Sequence, residues 1–254
     1  MDTEAQHTER DRSPEPDEGP GEGPRFLRFL DRPAVTWGRA AFLGVALTAA
    51  ALLFSAFVLQ PFLIPSGSME PTLRVGDRVL VNKLAYRFGS GPQRGDVVVF
   101  DGTGSFVPEP PERNPVTALL HGAAASLGLA EPAETDFVKR VVGVGGDRVV
   151  CCDKRGRLEV NGVAVDEGYL HPGDKPSAVP FDIVVPDGRL WMMGDHRARS
   201  RDSRDHLGQP GGGMVPVGMV IGRADWLGWP LGRLGTVPGT GAFDAVRQPG
   251  GAHG

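Results

Sequence analysis

The sequence has no block rich in lysine and arginine. Its 254 residues carry 27 basic and 31 acidic side chains, which gives a formal net charge of −4. Proteins that bind nucleic acid place clustered positive charge against the phosphate backbone, which dominates their affinity. The composition therefore excludes a nucleic-acid partner.

Cysteine is scarce, and the only two residues, Cys151 and Cys152, are adjacent. A zinc site needs further ligands at metal spacing, and none lies near them, so we expect neither a metal nor a cofactor. Neighbouring residues on a strand point to opposite faces, which predicts one buried and one exposed thiol. A strained vicinal disulfide is the alternative in an oxidising compartment.

Residues 1–24 contain no valine, leucine, isoleucine or aromatic residue. Such a segment cannot bury enough apolar surface to offset the entropy of ordering it. We therefore predict a disordered acidic tail over residues 1–37 with a basic end, and a flexible Gly/Pro/Ala-rich tail over 235–254. Roughly 170 residues remain after the apolar run described next, enough for one domain with a core.

A charge-free apolar run covers the 19 residues from Ala41 to Leu59. At ~1.5 Å per residue it spans about 28 Å, close to the hydrocarbon thickness of a bilayer. A cleaved secretory signal is the alternative, but the run starts late and exceeds the usual apolar core of ~7–15 residues. We predict a transmembrane helix over residues 38–60, ended by Gln60-Pro61.

The charges on either side of this run differ. Four arginines precede it, namely Arg25, Arg28, Arg32 and Arg39, whereas the charges that follow are mixed and include the acids Glu70 and Asp77. The positive-inside rule then predicts a single-pass protein of the cell membrane with a cytoplasmic N-terminus and an extracytoplasmic remainder. A second span over 215–229 is interrupted by Arg223 and Asp225.

After the anchor, valine-rich segments alternate with period two, and Asn161-Gly162 is a strong hairpin signal. This pattern predicts a mainly β, barrel- or sandwich-like domain over 61–234. An insertion at about 102–135 holds a proline-rich stretch and a short apolar helix, with a second membrane-touching surface as the alternative. The predicted strands are Asp77–Asn82, Asp96–Phe100, Val138–Val142, Arg148–Cys152, Leu158–Val160, Val163–Val165, Asp182–Val185, Leu190–Met193 and Met219–Gly222.

The first candidate for chemistry is the turn Ser66-Gly67-Ser68, flanked by Pro65 and Pro71. A serine hydroxyl is a poor nucleophile until a neighbouring base takes its proton. Gly67 permits a backbone conformation closed to other residues, and the prolines stiffen both sides. The turn is suited to present one hydroxyl and a free N–H. An ordinary loop leaving a membrane helix is the alternative.

The base is found by elimination. The Gly-X-Ser-X-Gly elbow is absent, since Glu70 occupies its fifth position, and the adjacent Asp195 and His196 point apart if extended. Lys139 remains, on one strand face with Phe137 and Val141. Burial there would lower the pKa of its ammonium from ~10.4 toward neutrality. A snorkelling lysine on an edge strand is the alternative.

The third cluster is the polar run from Gly194 to Arg204. Three interpretations stand side by side: a solvated loop, a metal site, and a salt-bridged scaffold that reserves one hydroxyl for the lysine amine. The metal site would use Asp195, His196, Asp202 and His206, whose spacing matches no known ligand pattern.

These motifs together resemble the bacterial type I signal peptidases, membrane-anchored Ser–Lys proteases. Five blocks occur in family order: the apolar span, PSGSMEPTL with RVGDRVLVNK, GDVVVF, FVKRVVGVGGD and WMMGDHRARSRDSR. The chain departs from the family pattern at a few positions, among them His196 in place of asparagine and Gly145 in place of proline.

The resemblance implies a role for each matching residue. Ser68 would be the nucleophile and Lys139 its general base, with the Ser66 hydroxyl and the Ser68 N–H as the oxyanion hole. Ser200 would hydrogen-bond the lysine amine and orient it. Met69, Leu73 and Phe137 would line the pocket for the residue before the cut. The structural polar loop would consist of Gly194, Asp195, Arg197, Asp202 and Arg204.

The implied activity is removal of Ala-X-Ala-type signal peptides from membrane-inserted precursors beside the lipid bilayer. Two alternatives stay open. One is a catalytically inactive β-domain scaffold tethered to the membrane. The other is a self-cleaving Ser–Lys repressor, although that class carries a DNA-binding helical module that this sequence lacks.

Overall fold

The structure is a computed structural model, and it describes residues 37–108, 135–209 and 211–247. Its first element is helix α1, Trp37–Phe57. The 18-residue window Gly38–Ser55 is long and apolar enough to cross a membrane, and only 6% of it is buried. The predicted acidic tail, and the proline stretch and apolar helix of the insertion, lie outside the described residues.

Within the described residues, twelve strands follow α1. In chain order they are β1 Leu59–Leu63, β2 Arg78–Asn82, β3 Val97–Asp101, β4 Asp136–Val144, β5 Arg148–Cys151, β6 Leu158–Val160, β7 Val163–Ala164, β8 Phe181–Val184, β9 Arg189–Met193, β10 Val215–Pro216, β11 Val220–Trp229 and β12 Gly235–Thr236. All nine predicted strands are present, within a few residues at most ends, which confirms the mainly β class.

The larger sheet has eight strands. Seven run in the order β1-β2-β11-β3-β4-β9-β10, and β12 pairs with β11. Every pairing is antiparallel. Strand β4 therefore lies between β3 and β9, with Lys139 opposite Val98 and Arg140 opposite Met193.

The smaller sheet has four strands in the order β7-β6-β5-β8. Its β6–β7 hairpin turns at Asn161 and Gly162, whose φ angles are 53° and 76°. Positive φ at both central residues is what a type I′ turn requires, and this confirms the hairpin prediction.

The core consists of three apolar clusters that use alternate residues of the central strands. Val97 and Val99 of β3 pack in one cluster, whereas Val98 and Phe100 pack in another. The third cluster joins the smaller sheet to Trp191 of β9. Because side chains alternate across a strand, continuous burial of β3 means that both faces of the sheet are covered here.

The predicted end of the helix at Gln60-Pro61 is corrected by the structure. Helix α1 ends at Phe57, and Leu59, Gln60 and Pro61 already belong to β1. Pro61 cannot donate to a ladder, but β1 is an edge strand, where proline is tolerated.

Two other predicted boundaries also differ. We expected a flexible tail from residue 235, but the residues that follow are part of the folded domain. Strand β12 pairs with β11, and Phe243 and Val246 are buried in the core. The insertion expected from residue 102 begins with packed residues, of which Phe106 is in the core.

Cys151 and Cys152 form a vicinal disulfide. The prediction of one buried and one exposed free thiol is therefore wrong, and the alternative holds. Cys151 is buried at the end of β5 and Cys152 packs partly against the same apolar cluster, so both sulfurs lie on one side of the chain.

Candidate active site

Ser68 and Lys139 meet although 71 residues separate them. The Lys139 amine nitrogen Nζ and the Ser68 hydroxyl oxygen Oγ are 2.7 Å apart, a hydrogen-bonding distance. Ser68 lies in the 3₁₀ turn Gly67–Met69 between β1 and β2, and Lys139 lies within β4. Both are buried, with 8% and 4% of their surface exposed.

Packing beneath the serine turn holds it in place. Met69 and Leu73 are buried in the cluster that also contains Val97 and Val99. The backbone oxygen of Ser68 accepts a hydrogen bond of 3.0 Å from the His196 N–H. The turn is therefore fixed from below by apolar contacts and from the side by the polar loop.

Gly67 does not have the backbone conformation expected of it. It is not among the glycines with positive φ. A Cβ atom at this position would instead lie 3.2 Å from the carboxyl carbon of Glu70. That contact is tight but is made with the end of a flexible side chain, and the expectation of a special backbone conformation is wrong.

The environment of Lys139 favours its neutral form. Burial is the main reason why the pKa of its amine falls from 10.5 to about 8. The negative charge of Asp202 raises this pKa and the positive charge of Arg204 lowers it, each by less than burial does. Strand β4 is internal to the sheet, so the alternative of a snorkelling lysine on an edge strand is wrong. An amine that loses its proton near pH 8 can act as a general base.

The other two serines of the predicted site are also close to the nucleophile. The Ser66 hydroxyl lies 3.3 Å from Ser68 Oγ. A Cβ atom added to Gly194 would clash with Ser200 Oγ and would lie 2.5 Å from the Ser68 carbonyl oxygen. Ser200 and Ser68 therefore both pack directly against the Gly194 backbone. The glycine is required because any side chain would push the two serines apart.

Ser200 does not make the hydrogen bond expected of it. Its Oγ is buried and makes no hydrogen bond to the Lys139 amine in the part of the chain that the structure describes; it lies close enough to Asp202 to help lower the pKa of that carboxyl. The predicted bond to the Lys139 amine is therefore absent, and the amine is held by Ser68 instead. An orienting role for Ser200 stays a prediction.

The polar loop is a network of buried ion pairs. Arg197 binds Glu167 and donates to the Gly194 carbonyl. Arg204 binds Asp202, whose carboxylate also accepts a hydrogen bond from the Gly194 N–H. Burial alone would raise the pKa of Asp202, but its contacts with Arg204 and Gly194 lower it. Of the three interpretations of this run, the structure supports the salt-bridged scaffold, but without the hydroxyl reserved for the lysine amine.

Sequence reasoning missed the partner of Asp195. Arg140 clamps that carboxylate with two bonds of 2.8 and 2.6 Å, and the Thr72 hydroxyl donates a third of 2.6 Å. The available signal was Arg140 itself, because a charge on a core strand requires a buried partner.

The metal site considered from Asp195, His196, Asp202 and His206 is not assembled. Both carboxylates are bound by arginines. The ring of His206 stacks on Phe106 and its Nδ1 lies 2.9 Å from Gln209.

The predicted pocket residues are only partly brought together. Met69 and Leu73 share one apolar cluster. Phe137 belongs to another, where its ring lies 5.9 Å from Phe100 and 5.3 Å from Phe106. A common role for all three in binding substrate stays a prediction.

A buried amine against a serine hydroxyl, on a mainly β scaffold, is the arrangement of a hydrolase with an activated serine. The family model described as "Signal peptidase, peptidase S26" matches residues 35–229. The chain belongs to this family and is a serine endopeptidase.

Curated relatives agree with the family match. Signal peptidase I of Mycobacterium tuberculosis is 44% identical over 203 residues, covering 71% of this chain and 68% of the relative. The probable signal peptidase I of Mycobacterium leprae is 42% identical over 210 residues, covering 71% and 72%. Signal peptidase I of Pseudomonas aeruginosa is 32% identical over 230 residues, covering 74% and 71%.

Proposed function

We propose that this chain is a membrane-bound endopeptidase that removes N-terminal signal peptides from exported precursors with a Ser68–Lys139 dyad. The observation that carries the proposal is the 2.7 Å contact between the serine hydroxyl and an amine whose pKa is about 8. The relatives named signal peptidase I supply the substrate class.

The catalytic cycle follows from this geometry. Neutral Lys139 accepts the Ser68 proton as Oγ attacks the scissile carbonyl, and the resulting ammonium then protonates the leaving amine. The same amine activates the water that hydrolyses the acyl-enzyme. We assign the Ser66 hydroxyl and the Ser68 N–H to the oxyanion, where one good donor contributes about 3–4 kcal/mol.

The distance from the anchor supports a membrane-inserted substrate. Ser68 lies nine positions after Leu59, the last residue of the apolar run, and nine extended residues reach at most ~30 Å. Signal peptides leave their cleavage site just past an apolar segment, close to the bilayer. With the N-terminus in the cytoplasm, Ser68 would act at the outer surface on Ala-X-Ala-type sites.

The test is cleavage of an Ala-X-Ala precursor by the full chain in detergent. We expect Ser68→Ala to reduce kcat/KM at least about 10⁴-fold. Lys139→Arg should be as inactive, because a guanidinium stays protonated. Ser90→Ala is the control, since among the described residues its exposed hydroxyl hydrogen-bonds only the Ala85 carbonyl.

Each alternative has its own signature in this assay. No cleavage by the unmodified chain would identify the inactive scaffold. Cleavage of the chain itself, without cleavage of the precursor, would identify a self-processing peptidase. Undiminished activity of Ser68→Ala would place the nucleophile elsewhere.

A further inference from the structure

Two histidines and a glutamate converge beside the serine turn without belonging to the dyad. Glu70, His171 and His196 each bring one ligand atom within 4.8 Å of the other two. The two imidazole rings are parallel, with centroids 3.9 Å apart. The three residues come from the serine turn, from the segment before β8 and from the polar loop, so the fold and not local sequence brings them together.

The buried imidazole of His196 has an unused nitrogen. His196 is 6% exposed, and its Nδ1 has no hydrogen-bond partner among the described residues. The nearest Glu70 oxygen is 3.8 Å away, which is too far for a hydrogen bond. Buried polar atoms are normally satisfied, so an unpaired nitrogen that faces a carboxylate indicates a ligand between them.

We propose that Glu70, His171 and His196 bind a divalent transition-metal ion of the zinc class. Two imidazoles and one carboxylate form a zinc ligand set, with water as the fourth ligand. Imidazole nitrogens select zinc and its neighbours over magnesium and calcium, which prefer oxygen ligands. The single Glu70 carboxylate supplies the negative charge that a cation requires.

The cluster must contract to close around the ion. Zinc–ligand bonds of about 2.0–2.1 Å place tetrahedral ligand atoms roughly 3.4 Å apart. The present spacing, which is at most 4.8 Å, therefore shortens by up to about 1.4 Å. The Glu70 side chain is 30% exposed and has room to move toward the rings.

The ion would act on the serine turn. The Glu70 carboxylate lies against Gly67, and the His196 N–H binds the Ser68 carbonyl oxygen. Drawing Glu70 toward the rings therefore shifts the turn that carries the nucleophile, and a misplacement of ~1 Å costs about 10²-fold in rate. Zinc is thus an inhibitor of the peptidase, a consequence that rests on the proposed function, whereas the binding site itself does not.

Zinc binding is tested by calorimetry on the chelator-treated full chain, purified in detergent without a polyhistidine tag. We expect one Zn²⁺ per chain and no binding of Mg²⁺. His171→Ala and Glu70→Gln should each weaken zinc binding at least about tenfold. His206→Gln is the matched control, because it removes another buried histidine outside the cluster.

Ser68→Ala separates this inference from the proposed function, because a chain without its nucleophile should still bind one Zn²⁺. Zinc should slow precursor cleavage by the unmodified chain about 10²-fold, and much less in His171→Ala. The proposed site is overturned if the unmodified chain does not bind zinc, or if His171→Ala and Glu70→Gln bind zinc as tightly as the unmodified chain. Binding without any loss of activity overturns the inhibition.

Discussion

Replacing Lys139 by methionine should stabilise the protein at pH 7 while abolishing its activity. Methionine fills a similar volume without an ionisable group. The unmodified chain is less stable than it could be, because its folded state holds an amine that is only 4% exposed and yet carries a proton at neutral pH.

The magnitude follows from the lowered pKa. The pKa of the amine is about 8 in the folded state and 10.5 in the unfolded state, and at about 1.4 kcal/mol per pKa unit this difference corresponds to ~3 kcal/mol. Between these values the unfolded chain binds more protons, so stability rises with pH. The penalty is full below pH 8 and disappears above 10.5. Loss of the hydrogen bond to Ser68 offsets about 1 kcal/mol, which leaves a net gain of ~2 kcal/mol at pH 7.

The assay is urea unfolding of the full chain in detergent, followed by the fluorescence of the fully buried Trp191. Between pH 7 and 9.5 the advantage of Lys139→Met should shrink by about 2 kcal/mol. Lys154→Met is the control, because Lys154 is exposed and reports the same chemical change at the surface. An advantage that does not change with pH, or a less stable Lys139→Met at every pH, would refute the desolvated amine.

Two further predictions concern activity. The value of kcat/KM should rise about tenfold per pH unit below a pKa of about 8 and level off above it, because only the neutral Lys139 amine is a base; a flat profile from pH 6 to 8 would contradict this. Gly194→Ala should reduce kcat at least about 10²-fold, since its Cβ would meet the Ser68 carbonyl oxygen at 2.5 Å. Gly168→Ala, with no atom within 4 Å of the added Cβ, should retain full activity, and equal rates for the two variants would show that the gap at Gly194 does not matter.

The strands were predictable because alternation and turn residues are local signals. Strand β1 was missed since its sequence continues the apolar run of α1 and contains Pro61, which is acceptable only at a sheet edge. The length of β11 was missed because Arg223 and Asp225 interrupt its apolar residues. In the structure these two side chains pair at 2.6 Å, as residues two apart on one face of a strand do.

The site was predictable in its residues and not in its contacts. Elimination and strand alternation led to Lys139, and its burial is confirmed. The pairs Arg140–Asp195 and Arg197–Glu167 join positions 55 and 30 residues apart, which no local pattern connects. The group of Glu70, His171 and His196 was invisible for the same reason.

The ion pairs of the polar loop explain why the lysine can be neutral. Lys139 and Arg140 are adjacent on β4 and almost equally buried, yet Arg140 binds the Asp195 carboxylate with two hydrogen bonds, and among the described residues Lys139 has no carboxylate within ion-pair distance. The acid that acts most strongly on it, Asp202, is already bound to Arg204. A buried amine keeps its ordinary pKa only when the attraction of a nearby carboxylate offsets its loss of hydration. Because Asp195 is bound to Arg140 and Asp202 to Arg204, neither carboxylate is left to pair with Lys139. The lysine amine hydrogen-bonds the Ser68 hydroxyl instead.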